Sequence, residues 1–225
     1  MKKNPFLYLV VLFCFLFAPV RSAFPLRTET VKLLKHQLNS DRIKYFFGSF
    51  GVELLNLQSS EFPESRISNL YSMHDDKKVM RTLALVDFKQ TTHPLLQEAH
   101  REIINGGSIG ATLSRHGWKI KKNPMYFGSF YLTSKILQWM QEEQLKEAAI
   151  HIYRLEVYQD NQTPIPYCTI LEIHSPQYLT VEWLQALYVE QWDIFTEETE
   201  EVSILLDRLS RWIGNISKTD ELRTM

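Results

Sequence analysis

Arg66 and Arg81 stand on either side of a polar break, Met73-His74-Asp75-Asp76-Lys77-Lys78. The flanking runs, Arg66 to Ser72 and Val79 to Val86, hold Ile, Tyr, Val and Thr, residues that fit a pleated surface, so the stretch predicts a β-hairpin. Side chains alternate along a strand, which puts Arg66, Ser68 and Leu70 on one side and Arg81, Leu83 and Leu85 on one side. With the turn centred on Asp75 and Asp76, Leu70 pairs with Arg81, and both guanidinium groups fall on the same face. One arginine on a strand is usually just solvated; two planar forks on one face suit a dianion. Glu172 is the only acid in the strand-like run Tyr167 to Ile173. Leu171 and Ile173 face away from it, so it shares a side with Cys168 and Ile170. A carboxylate there is either a functional group held under strain or an exposed one.

Elements must hold these groups in place. A helix-like segment, His93 to Ile104, follows the hairpin and ends at Asn105-Gly106-Gly107. The tight turn Gly107-Ser108-Ile109-Gly110 comes next, where glycine lets backbone N–H groups approach a ligand. Upstream, Val31, Leu34 and Leu38 have the spacing of one helical face, and Asn39, Ser40 or Asp41 can cap a second helix through Ile43, Phe46 and Phe47. Val52 to Leu57 predicts a strand closed by Phe62-Pro63. Gly117 to Lys122 alternates like an edge strand, Asn123 to Phe130 predicts a loop, and Leu132 to Ala149 predicts a helix. Strands from His151 to Tyr158 and from Tyr167 to Ile173 make a second hairpin around Gln159 to Pro164. Taken together this is an α+β chain: an antiparallel β-sheet with helices on one face, a ligand cavity under the loops, and a helical C-terminal extension.

An Arg opening a strand, an Asp-containing turn, an Arg81-Thr82 pair on the return strand, a helix and a Gly-Ser-Ile-Gly turn together resemble bacterial chorismate pyruvate-lyase. The resemblance runs from Leu33-Leu34, Leu38 and Phe46 through Val52-Glu53-Leu54-Leu55 to a closing Ser175-Pro176-Gln177-Tyr178. It implies a chorismate lyase-like domain over residues 23–178 and cleavage of chorismate to 4-hydroxybenzoate and pyruvate without metal or organic cofactor. Arg66 and Arg81 would hold the carboxylates, backbone N–H groups around Ile109 and Gly110 would assist, and Glu172 would supply the acid. Aligning the Ser-Pro-x-Tyr end puts Thr169 at the acid position; aligning the acid puts Glu172 there. The alternative is a non-catalytic module of the same fold, similar to ligand-sensing domains of bacterial regulators, that binds a small aromatic carboxylate or an envelope or host protein.

Composition narrows the partners. Twenty-five Lys and Arg against 26 Asp and Glu leave no basic excess, so nucleic acid is not expected. Met1-Lys2-Lys3, the apolar run Phe6 to Phe17 and small residues before Ala23 form a cleavable leader over residues 1–22, too short to span a bilayer. The expected location is periplasmic or secreted, with no stable membrane span once the leader is removed. Cys14 lies in the leader, so the mature chain keeps only Cys168, a buried apolar residue by its neighbours. The histidines at 93, 100, 116, 151 and 174 lack metal-ligand spacing, and no metal is assigned. In residues 179–225, Thr180 can cap a helix. A second helix carries the stripe Val202, Leu205, Leu206, Leu209, Trp212 and Ile213, ended by Gly214. That stripe is expected on the domain or on a second chain, a route to self-association.

Overall fold

The computed structural model describes residues 25–55, 65–89, 93–142, 147–160 and 162–223. The leader at 1–22 and the Phe62-Pro63 strand closure lie outside the described residues. Six strands form one antiparallel sheet in the order β1-β2-β3-β6-β5-β4. They are β1 (Gly51–Leu54), β2 (Ser65–His74), β3 (Lys77–Phe88), β4 (Lys119–Tyr131), β5 (Glu147–Tyr158) and β6 (Ile165–His174). Seven α-helices accompany them among the described residues: α1 (Thr28–Leu34), α2 (Asn39–Phe47), α3 (Gln97–Ile104), α4 (Ile109–Arg115), α5 (Ser134–Met140), α6 (Val181–Leu187) and α7 (Glu200–Arg223).

The first hairpin turns at Asp75 and Asp76, both left-handed at φ 47° and 59°, and closes on the pair His74–Lys77. This is the two-residue turn whose twist matches that of the strands. Its register then slips. Tyr71 pairs with Met80 but Leu70 pairs with Thr82, so Arg81 is the extra residue of a β-bulge. The expected Leu70–Arg81 pairing does not form, because the bulge shifts the strand by one residue.

Three elements differ from the sequence expectation. The predicted loop Asn123 to Phe130 is strand, because Pro124 sits in an edge strand where the register slips between Pro124 and Tyr126. The predicted helix from Leu132 to Ala149 ends at Met140, with Gln141 left-handed at φ 57°, and Ala148, Ala149 and Ile150 are buried strand residues. Both faces of β5 are covered there, which erases the alternation that marks a strand. The helix of the C-terminal stripe runs past Gly214 to Arg223, since one interior glycine costs only about 1 kcal/mol relative to alanine.

Helices cover both sides of the sheet. On one side Leu83, Leu85, Ile150, Leu171 and Ile173 pack with Ile136 and Met140 of α5 and with Val202, Leu205 and Leu209 of α7. The described part of the C-terminal stripe is thus buried on the chain's own sheet. On the other side α3 and α4 cover Val86, Tyr153, Leu155 and Ile170. There α1, α2 and α6 cover Leu70, Ala84, Phe127 and Ala149, with the Thr180 hydroxyl accepting from Trp183 N–H as the cap of α6. No helix among the described residues is long and apolar enough to cross a membrane.

Candidate functional site

Where those two clusters part, the sheet face is left uncovered and a cavity opens, with about 500 Å³ of empty space when its mouth is included. Every strand contributes to its floor: Val52, Arg66 and Leu70, Ala84 and Val86, Ile120 and Lys122, Tyr153 and Leu155, Ile170 and Glu172. Leu38, Asn39 and Ser40 at the start of α2 form one rim, and Ser108, Ile109 and Gly110 at the start of α4 form the other. Ala84 lies opposite Glu172 in the ladder, and its single methyl group keeps the middle of the floor low. Gly110 lets Leu38 pack close, since a Cβ there would lie 2.1 Å from Leu38 Cδ1 and push that side chain aside.

Four of the five residues singled out by sequence line this cavity: Arg66, Ile109, Gly110 and Glu172. Arg81 does not. Arg66 is only 8% exposed, and its Nη1 donates to Ile103 O and Gly107 O, both at 2.7 Å. It therefore ties down the end of α3 and the turn that presents Ile109 and Gly110, while its buried Nε has no partner. Burial lowers the Arg66 pKa below its ordinary value. Displaced by the bulge, Arg81 places its guanidinium carbon 3.5 Å from the centre of the Phe47 ring and donates from Nε to Ser72 Oγ at 2.9 Å. Burial pulls its pKa down to about 10, against the opposing charge of Glu142. The two arginines thus engage different surroundings. Ile109 and Gly110 open α4 where a bare turn was expected, so their N–H groups belong to a helix's first turn.

Glu172 is on the face expected from alternation, 4% exposed, while Thr169 faces α7 beside Asp87 and Glu201. Asn39 Nδ2 donates to Glu172 Oε1 at 3.1 Å and to Thr82 Oγ1 at 3.1 Å, and Asn39 Oδ1 accepts from the Tyr178 hydroxyl at 2.7 Å. The Tyr153 hydroxyl lies close enough to the carboxyl group to favour its charged form. Burial pushes the Glu172 carboxyl above the usual carboxylate range, opposed by the charges of Lys122 and Arg42 and by these hydrogen bonds. The same burial raises the Tyr153 phenol, with the nearby Glu172 carboxylate adding to the effect.

Sequence reasoning missed Asn39, Lys122 and Tyr153 as cavity residues, and also His151 and His174. Asn39 reads as a helix cap, and nothing local says that its amide reaches a strand 133 residues away. The histidines had a usable signal. The second hairpin pairs His151 with Glu172, and His174 lies two residues further on the same face. A search for ligand spacing along one strand does not look across the ladder.

No family model and no curated protein matches the chain. Among solved structures it is similar to the product of gene SA0254 from Staphylococcus aureus N315, at 13% identity and TM-score 0.36, over 58% of this chain and 87% of that one. It is similar to the C-terminal domain of the histidine utilization repressor from Pseudomonas syringae pv. tomato DC3000, at 10% identity and TM-score 0.33, covering 57% and 93%. A third likeness, to the C-terminal domain of Yurk from Bacillus subtilis 168, has 14% identity and TM-score 0.29 and covers 57% and 90%.

Proposed function

We propose that this chain is an exported binding module whose cavity holds a small aromatic carboxylate. One observation carries the reading: the cavity's charged lining is Arg66, Lys122 and Glu172, two cations and a carboxyl group that burial drives toward its neutral form. Apolar walls of Val52, Leu70, Val86, Leu155 and Ile170 suit a ring, and the positive balance suits a single carboxylate. The ammonium of Lys122, which lies 4.7 Å from the centre of the Tyr153 ring, is the group that would meet it, and the Arg66 guanidinium in the lining adds positive charge. Export rests on Met1-Lys2-Lys3 and the apolar run Phe6 to Phe17.

The lyase reading keeps one specific support. Glu172 lies in the cavity as a buried carboxyl group whose raised pKa suits proton donation. Against it, Arg81 is absent from the lining, so the second carboxylate of chorismate lacks the arginine that the resemblance assigns to it.

Calorimetry with 4-hydroxybenzoate, alongside measurement of pyruvate release from chorismate, tests both readings. Binding without release, weakened by about 2–5 kcal/mol in Lys122→Ala and kept in Arg81→Ala, is the expected outcome. Pyruvate release abolished in Glu172→Gln would replace the binding module with the lyase. A folded wild type that neither binds nor releases would end both.

A further inference from the structure

At the edge of the cavity floor lies a side-chain cluster that shares Glu172 with the cavity and adds two histidines that carboxylate binding does not use. His151 and Glu172 are direct partners across β5 and β6, and His174 follows on the same face of β6. His151 and His174 are each 1% exposed, and one ligand atom from each of the three residues lies within 4.8 Å of the others. Neither His151 Nε2 nor His174 Nε2 has a hydrogen-bond partner. Buried polar atoms are ordinarily paired, so two orphaned imidazole nitrogens beside one carboxylate need an explanation.

We propose that His151, Glu172 and His174 form a binding site for a divalent first-row transition-metal ion of the zinc class. Two imidazoles and one carboxylate are a donor set suited to such ions, and three protein ligands leave a position open for water or for a molecule in the cavity. The surrounding residues hold the donors in ligating form. His174 Nδ1 lies 3.1 Å from Thr82 Oγ1, and donating its N–H there leaves the lone pair on Nε2. Asn39 holds Glu172 Oε1, which leaves Oε2, 3.8 Å from His174 Nε2, free to ligate. The His151 ring is stacked on Phe127 with centroids 4.7 Å apart and 19° between planes.

Geometry and charge set the cost of loading. Metal bonds of about 2.0–2.2 Å bring ligand atoms closer together than the present spacing, a contraction of roughly 1 Å by side-chain rotation. A second cavity, lined by His36, Lys122, Pro124 and Tyr188 among others, has His151 in its wall. Arg42 and Lys122 are the nearby cations that would repel the ion. The charge of Arg42 is already directed to Leu34 O at 3.1 Å, Lys35 O at 3.2 Å and the Tyr188 hydroxyl at 3.1 Å.

The test uses chelator-stripped purified protein, with no aromatic carboxylate present, titrated with zinc against a chromophoric chelator and with cobalt(II) by its visible absorption. One equivalent per chain is expected. Thr82→Ala should weaken zinc by about 10–100-fold through loss of the hydrogen bond to His174, and His151→Gln and His174→Gln should weaken it further. X-ray absorption of the zinc-loaded wild type, which needs no variant to fold, should count two imidazoles. No uptake by the folded wild type, a zinc shell without imidazole, or unchanged affinity in folded histidine variants would overturn the proposal. Failure to bind 4-hydroxybenzoate would leave the zinc result untouched, so the two readings fail separately.

Discussion

Arg66 directs two hydrogen bonds at main-chain carbonyls, and this changes what its removal should do. By sequence the residue is a ligand clamp whose loss leaves folding almost intact. In the fold it satisfies Ile103 O and Gly107 O at the end of α3. Arg66→Ala takes a charge-assisted bond from both carbonyls in a nearly buried place, although Ile103 O keeps the Gly106 N–H at 3.1 Å, and should destabilise the protein by about 1–3 kcal/mol in urea unfolding. Arg66→Lys should recover only part of that, because an ammonium cannot reproduce the planar fork. An unfolding midpoint unchanged by Arg66→Ala would show that the two bonds contribute nothing net. The facing of Glu172 was legible because alternation along β6 is unbroken among Cys168, Ile170 and Glu172. The pairing of Arg81, and with it its place outside the cavity, was not, since a bulge leaves no mark in a sequence whose two strands each alternate correctly.

Hairpins were more legible than the segments between them, for a physical reason. The Asp75-Asp76 turn announces itself by residues that tolerate left-handed backbone, and the strands beside it are rich in β-branched and aromatic residues. Aspartate tolerates this conformation without preferring it. Asp76→Gly should therefore raise hairpin stability by about 0.5–1 kcal/mol, the relief at φ 59° exceeding the added entropy of glycine in the unfolded chain. Thermal unfolding would read this as a higher Tm; a lower one would mean that the aspartate side chain holds the turn. The stretch from Leu132 to Ala149 misleads because strand β5, lying between β4 and β6 with both faces covered, carries an apolar run that periodicity alone cannot separate from a helix. Likewise Pro124 reads as a loop residue until β4 is known to be an edge.

Across the whole molecule, both faces of the sheet need cover, and the C-terminal helix supplies much of one. Val202, Leu205 and Leu209 are fully or almost fully buried against the sheet and α5. Ion pairs fasten the same helix, Glu201 to Arg154 at 2.6 Å and to Lys89 at 4.0 Å, and Arg208 to Asp87 at 3.4 Å. Their partly exposed positions limit them to a few tenths of a kcal/mol up to about 1 kcal/mol each. The apolar contacts decide the outcome: three buried side chains at about 1.5–3 kcal/mol each amount to a large share of the roughly 5–15 kcal/mol net stability of an ordinary domain. A chain ending at residue 199 should therefore lose cooperative unfolding and aggregate through the bared face of Leu83, Leu85, Ile150 and Leu171. Leu209→Ala in the full chain should cost about 2–5 kcal/mol. Circular dichroism during thermal unfolding, with sedimentation of the shortened chain, checks both. A soluble, cooperatively folding chain ending at residue 199 would show that residues 200–225 are an appendage to a domain complete without α7.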